Sequence, residues 1–242
     1  MGRSEGARGG LQEGARLPTS AEGRPPGPST APSRWIPASG DVVSSSGVGR
    51  GEATTATVHV LHEGYVRGER VASTVGLVRD DDALVVIDPG MVPDPAAILD
   101  PLAALGVRPE EVTDVVLSHH HPDHALHAGL FAAARVHDHW AWYRGDLWTH
   151  RGAEGFHVSR DVELASTPGH TREDLTTVVR TDEGVVAFTH LWWAADGPRE
   201  DPLAEDPAAL HASRARILAL PDLVRIIPGH GAPFAPGPST PR

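Results

Sequence analysis

Residues 118–124 read Ser-His-His-His-Pro-Asp-His and contain the pattern His-x-His-x-Asp-His. Imidazole nitrogens and carboxylate oxygens are ligands that zinc, iron and manganese accept in proteins. The apolar segment 114–117 comes directly before this loop and predicts a short buried strand, whereas residues 124–131 predict a helix after it. The sequence therefore predicts a metal site on a loop that joins a strand to a helix.

The composition restricts both the class of protein and the kind of metal site. The chain has 242 residues, which suits one folded domain, and it has no cysteine, so disulfides and thiolate zinc sites are excluded. It has no apolar run long enough to span a membrane and no secretory signal, so we expect a cytoplasmic protein without a membrane partner. The net charge of −11 argues against nucleic acid as a partner. We expect a small-molecule substrate.

The composition changes along the chain. Residues 1–52 are rich in Gly, Pro and Arg and have no helical or strand period, so they are predicted to be a disordered extension. Residues 53–236 are predicted to form the single folded domain, and residues 237–242 a short flexible tail. This division places every candidate ligand in one domain.

Apolar patterns within that domain predict both strands and helices. Helices are predicted at 94–105, with Asp94 as N-cap and Pro95 in first position, and at 207–220. Mixed elements of this kind indicate a layered α/β or α+β fold. The predicted strands cover 57–63, 73–79, 83–87, 114–117, 134–137, 162–166, 175–180, 184–188 and 223–227.

The spacing of the loop residues predicts two metal positions. His119 and His121 lie two apart, so in an extended loop both side chains point to one ion. Asp123 and His124 are displaced around the loop, which suggests a second position about 3.5–4 Å away. Two later turns supply further imidazoles, because residues 168–170 and 228–230 both read Pro-Gly-His and both follow predicted strands.

The order and spacing of these motifs, together with Asp88 in Asp-Pro-Gly, resemble those of the metallo-β-lactamase superfamily over about residues 57–235. Within it, the short carboxyl-terminal half is similar to the subgroup named metallo-β-lactamase domain-containing protein 1. The resemblance implies a four-layer αββα sandwich with the metals at one edge of its two sheets. It also implies the ligands: His119, His121 and His170 for a first metal, Asp123, His124 and His230 for a second, with Asp88 orienting ligands from outside.

His190 departs from the family pattern, because many members have at that point an Asp that bridges the two metals. One imidazole cannot bridge ions that lie under 4 Å apart, so His190 is predicted to be a terminal ligand. Trp192 and Trp193, which lie two and three residues after His190, are candidates for a substrate pocket.

The leading hypothesis is a metal-dependent hydrolase that uses one or two divalent ions, zinc or else iron or manganese. A metal-activated water would attack an ester, thioester, lactone, amide or phosphoester, and Asp123 would be the catalytic residue that orients it. Two alternatives remain open. One is a non-haem iron oxidoreductase on the same fold, and the other is a non-catalytic metal-binding protein whose site His190 closes.

Overall fold

A computed structural model describes residues 55–242, so the predicted extension at 1–52 lies outside the described residues. The helices are α1 (Ala96–Ala104), α2 (Pro122–Ala125) and α3 (Pro207–Leu218), with 3-10 turns at Pro109–Glu111 and Ala128–Phe131. The strands are β1 (Thr57–His62), β2 (Tyr65–Arg67), β3 (Arg70–Ala72), β4 (Val75–Asp80), β5 (Ala83–Ile87), β6 (Asp114–Val116), β7 (Arg135–His137), β8 (Ala141–Arg144), β9 (Leu147–His150), β10 (Phe156–His157), β11 (Val162–Ser166), β12 (Leu175–Thr181), β13 (Gly184–Thr189) and β14 (Leu223–Pro228).

Two mixed sheets form the centre of the domain. The first has the strand order β1-β4-β5-β6-β7-β8-β9, with β5, β6 and β7 parallel. The second has the order β10-β11-β12-β13-β14, and its β13 and β14 are parallel. The short strands β2 and β3 form a separate hairpin.

The apolar runs of the sequence are continuous because both faces of the central strands are buried. Val85 packs in the core between the two sheets, whereas its neighbour Val86 packs on the opposite face with Ile98 of α1. The second sheet is covered on its outer face by α3, where Ile217 contributes to a third cluster. The layers are therefore helix, sheet, sheet, helix, which confirms the predicted αββα sandwich.

Parallel pairing brings the ends of several strands to one edge. In the pair β13–β14, Thr189 lies opposite Pro228, so the residues that follow, His190 and the Gly229-His230 turn, leave the sheet side by side. In the pair β5–β6, Ile87 lies opposite Val116, which places Asp88 beside the start of the histidine loop. Backbone pairing thus delivers four widely separated parts of the chain to one place.

Most predicted elements are present, and β5, β11 and the start of α3 have the predicted bounds. The helix predicted at 124–131 is wrong, since a single turn, α2, is followed by a 3-10 turn. The helix is interrupted because the backbone N–H of His127 donates to the Pro89 carbonyl instead of continuing the helical pattern. Pro95 caps α1 rather than starting it, while the carboxylate of Asp94 accepts from the Ala96 N–H.

The carboxyl-terminal residues also differ from expectation. Residues 237–242 were predicted to be a flexible tail, but Thr240 and Pro241 are buried. The Trp192 indole donates to the Pro241 carbonyl at 2.9 Å, and His211 of α3 donates to the Arg242 carbonyl at 2.6 Å. Among residues 55–242, no helix is long and apolar enough to cross a membrane.

Candidate metal centre

The first group of imidazoles lies between the histidine loop and the turn after β11. The Nδ1 atom of His121 is 3.0 Å from Nε2 of His119 and 3.1 Å from Nε2 of His170. Two nitrogens bound to one tetrahedral zinc ion are separated by about 3.3 Å, since each lies 2.0–2.1 Å from the metal. These two distances are close to that spacing, and ligand nitrogens of His119 and His170 lie within 4.8 Å of each other.

The second group lies beside the first and uses the turn after β14. The carboxylate Oδ2 of Asp123 is 3.4 Å from Nε2 of His124 and 3.5 Å from Nε2 of His230. The Nε2 atoms of His230 and His190 are 3.0 Å apart. The structure thus brings together all seven residues that the sequence predicted as ligands.

His190 lies between the two groups. Its ring centre is 4.1 Å from that of His170 and 5.0 Å from that of His230. Two buried sets of nitrogens include it, one with His119 and His170 and the other with His124 and His230, and each is compact enough to hold a metal ion. The sequence predicted that His190 binds one ion as a terminal ligand. Its position between the two groups would allow it to bind an ion at either of them.

Hydrogen bonds on the outer side fix the orientation of the rings. Asp88 accepts from Nδ1 of His124 at 2.8 Å, and Asp201 accepts from Nδ1 of His170 at 2.7 Å. The Ala72 carbonyl accepts from Nδ1 of His230 at 3.0 Å. An imidazole whose outer nitrogen donates to an acceptor turns the lone pair of its other nitrogen inward, which is the arrangement found around protein-bound metals.

Among the seven candidate ligands, two buried nitrogens have no hydrogen-bond partner, namely Nε2 of His124 and Nδ1 of His190. A buried polar atom without a partner costs about 1–3 kcal/mol, so such atoms are rare in folded proteins. The Nε2 atom of His124 faces the Asp123 carboxylate and the second group. A divalent ion bound there would satisfy it, so the residues present fit a metal.

The electrostatics keep most of these rings neutral and able to donate a lone pair. Burial, followed by the neighbouring His124, holds the pKa values of His119 and His190 well below the usual range. The same two causes lower the pKa of His230 to about 4. Burial is also the largest single influence on His124 and lowers its pKa, but the carboxylates of Asp88, Asp123 and Asp174 together outweigh burial, so the net direction is upward.

The glycines of the Pro-Gly-His and Asp-Pro-Gly turns are required by close packing. A Cβ atom on Gly229 would lie 2.4 Å from Cδ2 of His190, and one on Gly90 would lie 1.7 Å from the Asp123 carbonyl oxygen. Any larger residue would displace a candidate ligand or the backbone that carries it. The motifs therefore specify the place of the ligands as well as their identity.

A cleft of about 360 Å³ opens onto the two groups and includes His121, Asp123 and Trp193 in its walls. Trp193 has its ring centre 5.9 Å from that of His230. Trp192, the other candidate for a substrate pocket, is buried under α3 and packs against Phe234, so the structure does not place it at the cleft. Of the two tryptophans, only Trp193 is therefore a candidate for the substrate pocket.

Asp201 and Asp174 were not identified from the sequence. Asp201 follows His170 by 31 residues and lies in an irregular segment with no motif around it. Asp174 accepts from the hydroxyl and the N–H of Thr171, and burial raises its pKa to about 6. Only the Thr-x-x-Asp spacing after the first Pro-Gly-His turn hints at it, since a carboxylate three residues after a threonine can close a local turn.

Comparison with known proteins gives one family. Residues 68–198 match the model of the metallo-beta-lactamase superfamily. A protein of Xenopus laevis named metallo-beta-lactamase domain-containing protein 1 is 34% identical over 74% of this chain and 81% of its own length. The human protein of the same name is 37% identical, and the match spans 62% of this chain and 59% of the human protein.

Solved structures agree on the fold. A Thermotoga maritima protein described as a candidate metallo-beta-lactamase superposes with a TM-score of 0.61 at 22% identity, covering 75% of this chain and 100% of the other. An N-acyl homoserine lactone hydrolase, with its product bound at the catalytic metal centre, superposes with a TM-score of 0.54 at 16% identity, covering 74% of this chain and 93% of the other.

Proposed function

This chain belongs to the metallo-beta-lactamase superfamily, and from the site it carries we propose that it is a metal-dependent hydrolase with two adjacent metal positions. The observation that carries the proposal is the convergence of six imidazoles, five of them buried, and one carboxylate. The outer nitrogens of His124, His170 and His230 already donate to fixed acceptors. His119, His121 and His170 would hold one ion, and Asp123, His124 and His230 the other. His190 would supply a further nitrogen to either position.

A bound divalent ion would supply Lewis acidity, which polarises a carbonyl or phosphoryl oxygen and lowers the pKa of a water molecule. Asp123 has the position of a catalytic residue, because its carboxylate faces both His124 and His230 and also borders the cleft. It would orient the attacking water and accept its proton. The half-buried Trp193 would limit access of bulk water to the bond that is cleaved.

We assign a small molecule with a hydrolysable ester, thioester, lactone, amide or phosphoester bond as substrate, and a cytoplasmic location. The lactone hydrolase among the structural neighbours supports a carbonyl substrate for this fold. The net charge of −11 supports a substrate other than nucleic acid.

The test combines metal analysis with a panel of substrates. Purified protein is assayed for zinc, iron and manganese by plasma mass spectrometry, stripped with a chelator, reloaded with each metal and tested on one substrate of each class. We expect hydrolysis of at least one class that is lost on stripping and restored by metal. The His121→Ala variant should lose metal and activity, whereas His157→Ala, an exposed histidine away from the cleft, should keep both. Metal content of His121→Ala equal to the wild type would refute the ligand assignment.

His190 favours a second candidate, a non-haem iron oxidoreductase, because it adds a nitrogen to a site where the family pattern has an oxygen, and iron accepts five or six ligands. Oxygen consumption that depends on ferrous iron would support this candidate, and full hydrolytic activity with zinc alone would exclude it. Metal binding without either activity would instead indicate a centre closed by His190.

His190→Asp tests the role of this residue directly. A carboxylate at this position bridges two close ions, so we expect a changed metal-to-protein ratio or a changed metal preference. Identical metal identity and stoichiometry in the variant and the wild type would show that His190 is not a ligand.

A further inference from the structure

The chain between His190 and α3 lies beside the metal centre, and among the described residues it forms neither a helix nor a strand. We call this segment, residues 191–206, the strap. Asp201 is buried within it, whereas its neighbours Arg199 and Glu200 are exposed. A segment without regular secondary structure is held by individual contacts, so those contacts decide where Asp201 lies.

Hydrogen bonds at both ends tie the strap to the turns that carry candidate ligands. Near its start, the Trp193 carbonyl accepts from the His230 N–H at 2.8 Å. Near its end, the Glu205 N–H donates to the His170 carbonyl at 3.0 Å. Neither bond reaches the middle of the strap, where Asp201 accepts from Nδ1 of His170. The course of the middle therefore depends on a further contact.

Arg214 of α3 supplies that contact, and its side chain is fully buried. Its Nε donates to the Leu191 carbonyl at 2.8 Å, and its Nη1 donates to the Arg199 carbonyl at 2.6 Å. Leu191 follows His190 directly, and Arg199 lies two residues before Asp201. One guanidinium thus fixes the backbone next to His190 relative to the backbone next to Asp201.

Arg214 occupies a place where the helix pattern favours an apolar residue. It lies on the inward stripe of α3 with Leu210, four residues before it, and Ile217, three residues after it. Burial lowers the pKa of Arg214, and the carboxylates of Asp201 and Glu200 offset only part of this effect. A buried cation is costly, and an apolar side chain of similar volume is often at least as stable in such a place.

An apolar side chain could not bind two carbonyls at once. The guanidinium is planar and its N–H groups point in fixed directions, so it holds the Leu191 and Arg199 carbonyls in one arrangement. The arginine is therefore explained by the geometry that it imposes on the strap rather than by the stability of α3.

We propose that Arg214 is a positioning residue for the first metal position. It holds the strap so that Asp201 accepts the Nδ1 proton of His170, and this leaves Nε2 of His170 free to bind a metal. Arg214 is not among the residues that line the cleft, so its effect passes through Asp201. This inference rests on the proposed metal centre.

The first experiment measures the zinc affinity of stripped, full-length protein for Arg214→Met, Asp201→Ala and the double variant. Loss of the outer partner of a ligand typically weakens metal binding by about 10–100-fold, and we expect a loss in this range at one position in each single variant. The double variant should lose no more affinity than Asp201→Ala alone, since Arg214 acts through Asp201. Losses that add in the double variant, or wild-type affinity in Arg214→Met, would overturn the inference.

Arg216→Met is the matched control, because Arg216 lies on the same helix and its guanidinium also donates to a carbonyl, that of Ser166 at 2.9 Å. Ser166 is already held by its pairing with Leu175 of β12, so this variant should keep the wild-type zinc affinity. An equal loss in Arg216→Met would assign the effect to α3 as a whole and contradict the role of Arg214.

Circular dichroism checks that each variant is folded. If Arg214→Met does not fold, Arg214→Lys takes its place in the experiment. Lysine keeps the charge but has no planar fork, so we expect a loss of zinc affinity in the same direction. Wild-type affinity in Arg214→Lys would show that the two fixed hydrogen bonds are not needed.

A second measurement does not depend on metal binding. Long-range proton–nitrogen NMR of the metal-free protein, at a pH where the imidazoles are neutral, shows which nitrogen of His170 carries the proton. We expect the proton on Nδ1 in the wild type and in Arg216→Met, and a shift toward Nε2 in Arg214→Met. An unchanged tautomer in Arg214→Met would refute the inference and leave the hydrolase proposal in place. A changed tautomer in a protein that binds no zinc would support the role of Arg214 while the metal proposal fails.

Discussion

Asp88→Asn tests how a residue outside the metal positions controls the ligands within them. Asp88 uses both of its oxygens, one for the Ser118 N–H at 2.6 Å and the other for Nδ1 of His124 at 2.8 Å. Its φ of +49° lies in the left-handed region, which Asn tolerates better than other non-glycine residues. The substitution therefore keeps the shape and backbone but replaces one acceptor oxygen with a donor.

Either orientation of the new amide has a cost. If its nitrogen faces Ser118, two donors oppose each other in a buried place, and a hydrogen bond to a charged acceptor worth about 1.5–3 kcal/mol is lost. If its nitrogen faces His124, Nδ1 of that ring must become the acceptor, and the neutral ring then carries its proton on Nε2, the atom that faces the second group. Loss of such an outer partner typically weakens metal affinity by about 10–100-fold, or about 1.4–2.8 kcal/mol.

The assay is a titration of stripped protein with zinc in competition with a chromophoric chelator, together with urea denaturation of the metal-free form. Asp222→Asn is the control, because Asp222 is exposed and also has a positive φ, of +58°. Asp88→Asn should bind zinc more weakly in at least one position, and Asp222→Asn should behave as the wild type. Unchanged zinc affinity of Asp88→Asn for both positions would refute the argument that Asp88 sets the tautomer of His124.

Two further predictions concern packing and pH. Gly229→Ala should lower the free energy of unfolding by about 1–3 kcal/mol and weaken metal binding, because the new Cβ would press on the His190 ring. Both effects are compared with Gly237→Ala, whose new Cβ would meet open space, and the free energy of unfolding is measured by urea denaturation. Asp138 has a pKa of about 2, since hydrogen bonds from His120 and Tyr143 outweigh its burial. Because the pKa of Asp138 is lower in the folded than in the unfolded protein, where it is near 4, its ionised carboxylate stabilises the folded state above about pH 4. That stabilisation is lost as the pH falls from about 4 to about 2. Asp138→Asn should therefore remove about 2 kcal/mol of that acid dependence, and denaturation curves at several pH values with an unchanged acid slope would contradict this.

The central strands of the fold could be predicted from the sequence, because strands that are buried on both faces appear as runs of apolar residues. The run Ala83–Ile87 is continuous in apolar residues and is followed by Asp88, so its bounds follow from the local pattern. Val162–Ser166 is apolar at 162, 164 and 165 and is followed by Thr167 and Pro168, which mark its end. The last two strands of the first sheet, β8 and β9, were missed, as were the short strands β2, β3 and β10. Apart from the buried Ala141, the residues of β8 and β9 are half-buried or exposed, and their place depends on pairing with β7 and with each other rather than on a period.

The positions of the seven candidate ligands followed from motifs, but their contacts did not. Asp201 reaches His170 only through a loop whose course depends on the tertiary fold. The location of His190 between both groups depends on the register of β13 against β14, which no single segment encodes. The break after α2 likewise depends on a distant carbonyl, that of Pro89.

The parallel register of Thr189 against Pro228 fixes the location of residue 190 before any side chain is chosen. Backbone hydrogen bonds and the packing space at Gly229 set that location, and neither depends on whether the side chain offers nitrogen or oxygen. A single substitution at position 190 can therefore replace a nitrogen ligand with an oxygen ligand between the two metal positions without changing the backbone around it. Homologous proteins can therefore differ in metal preference through a substitution at position 190 while they keep the same fold.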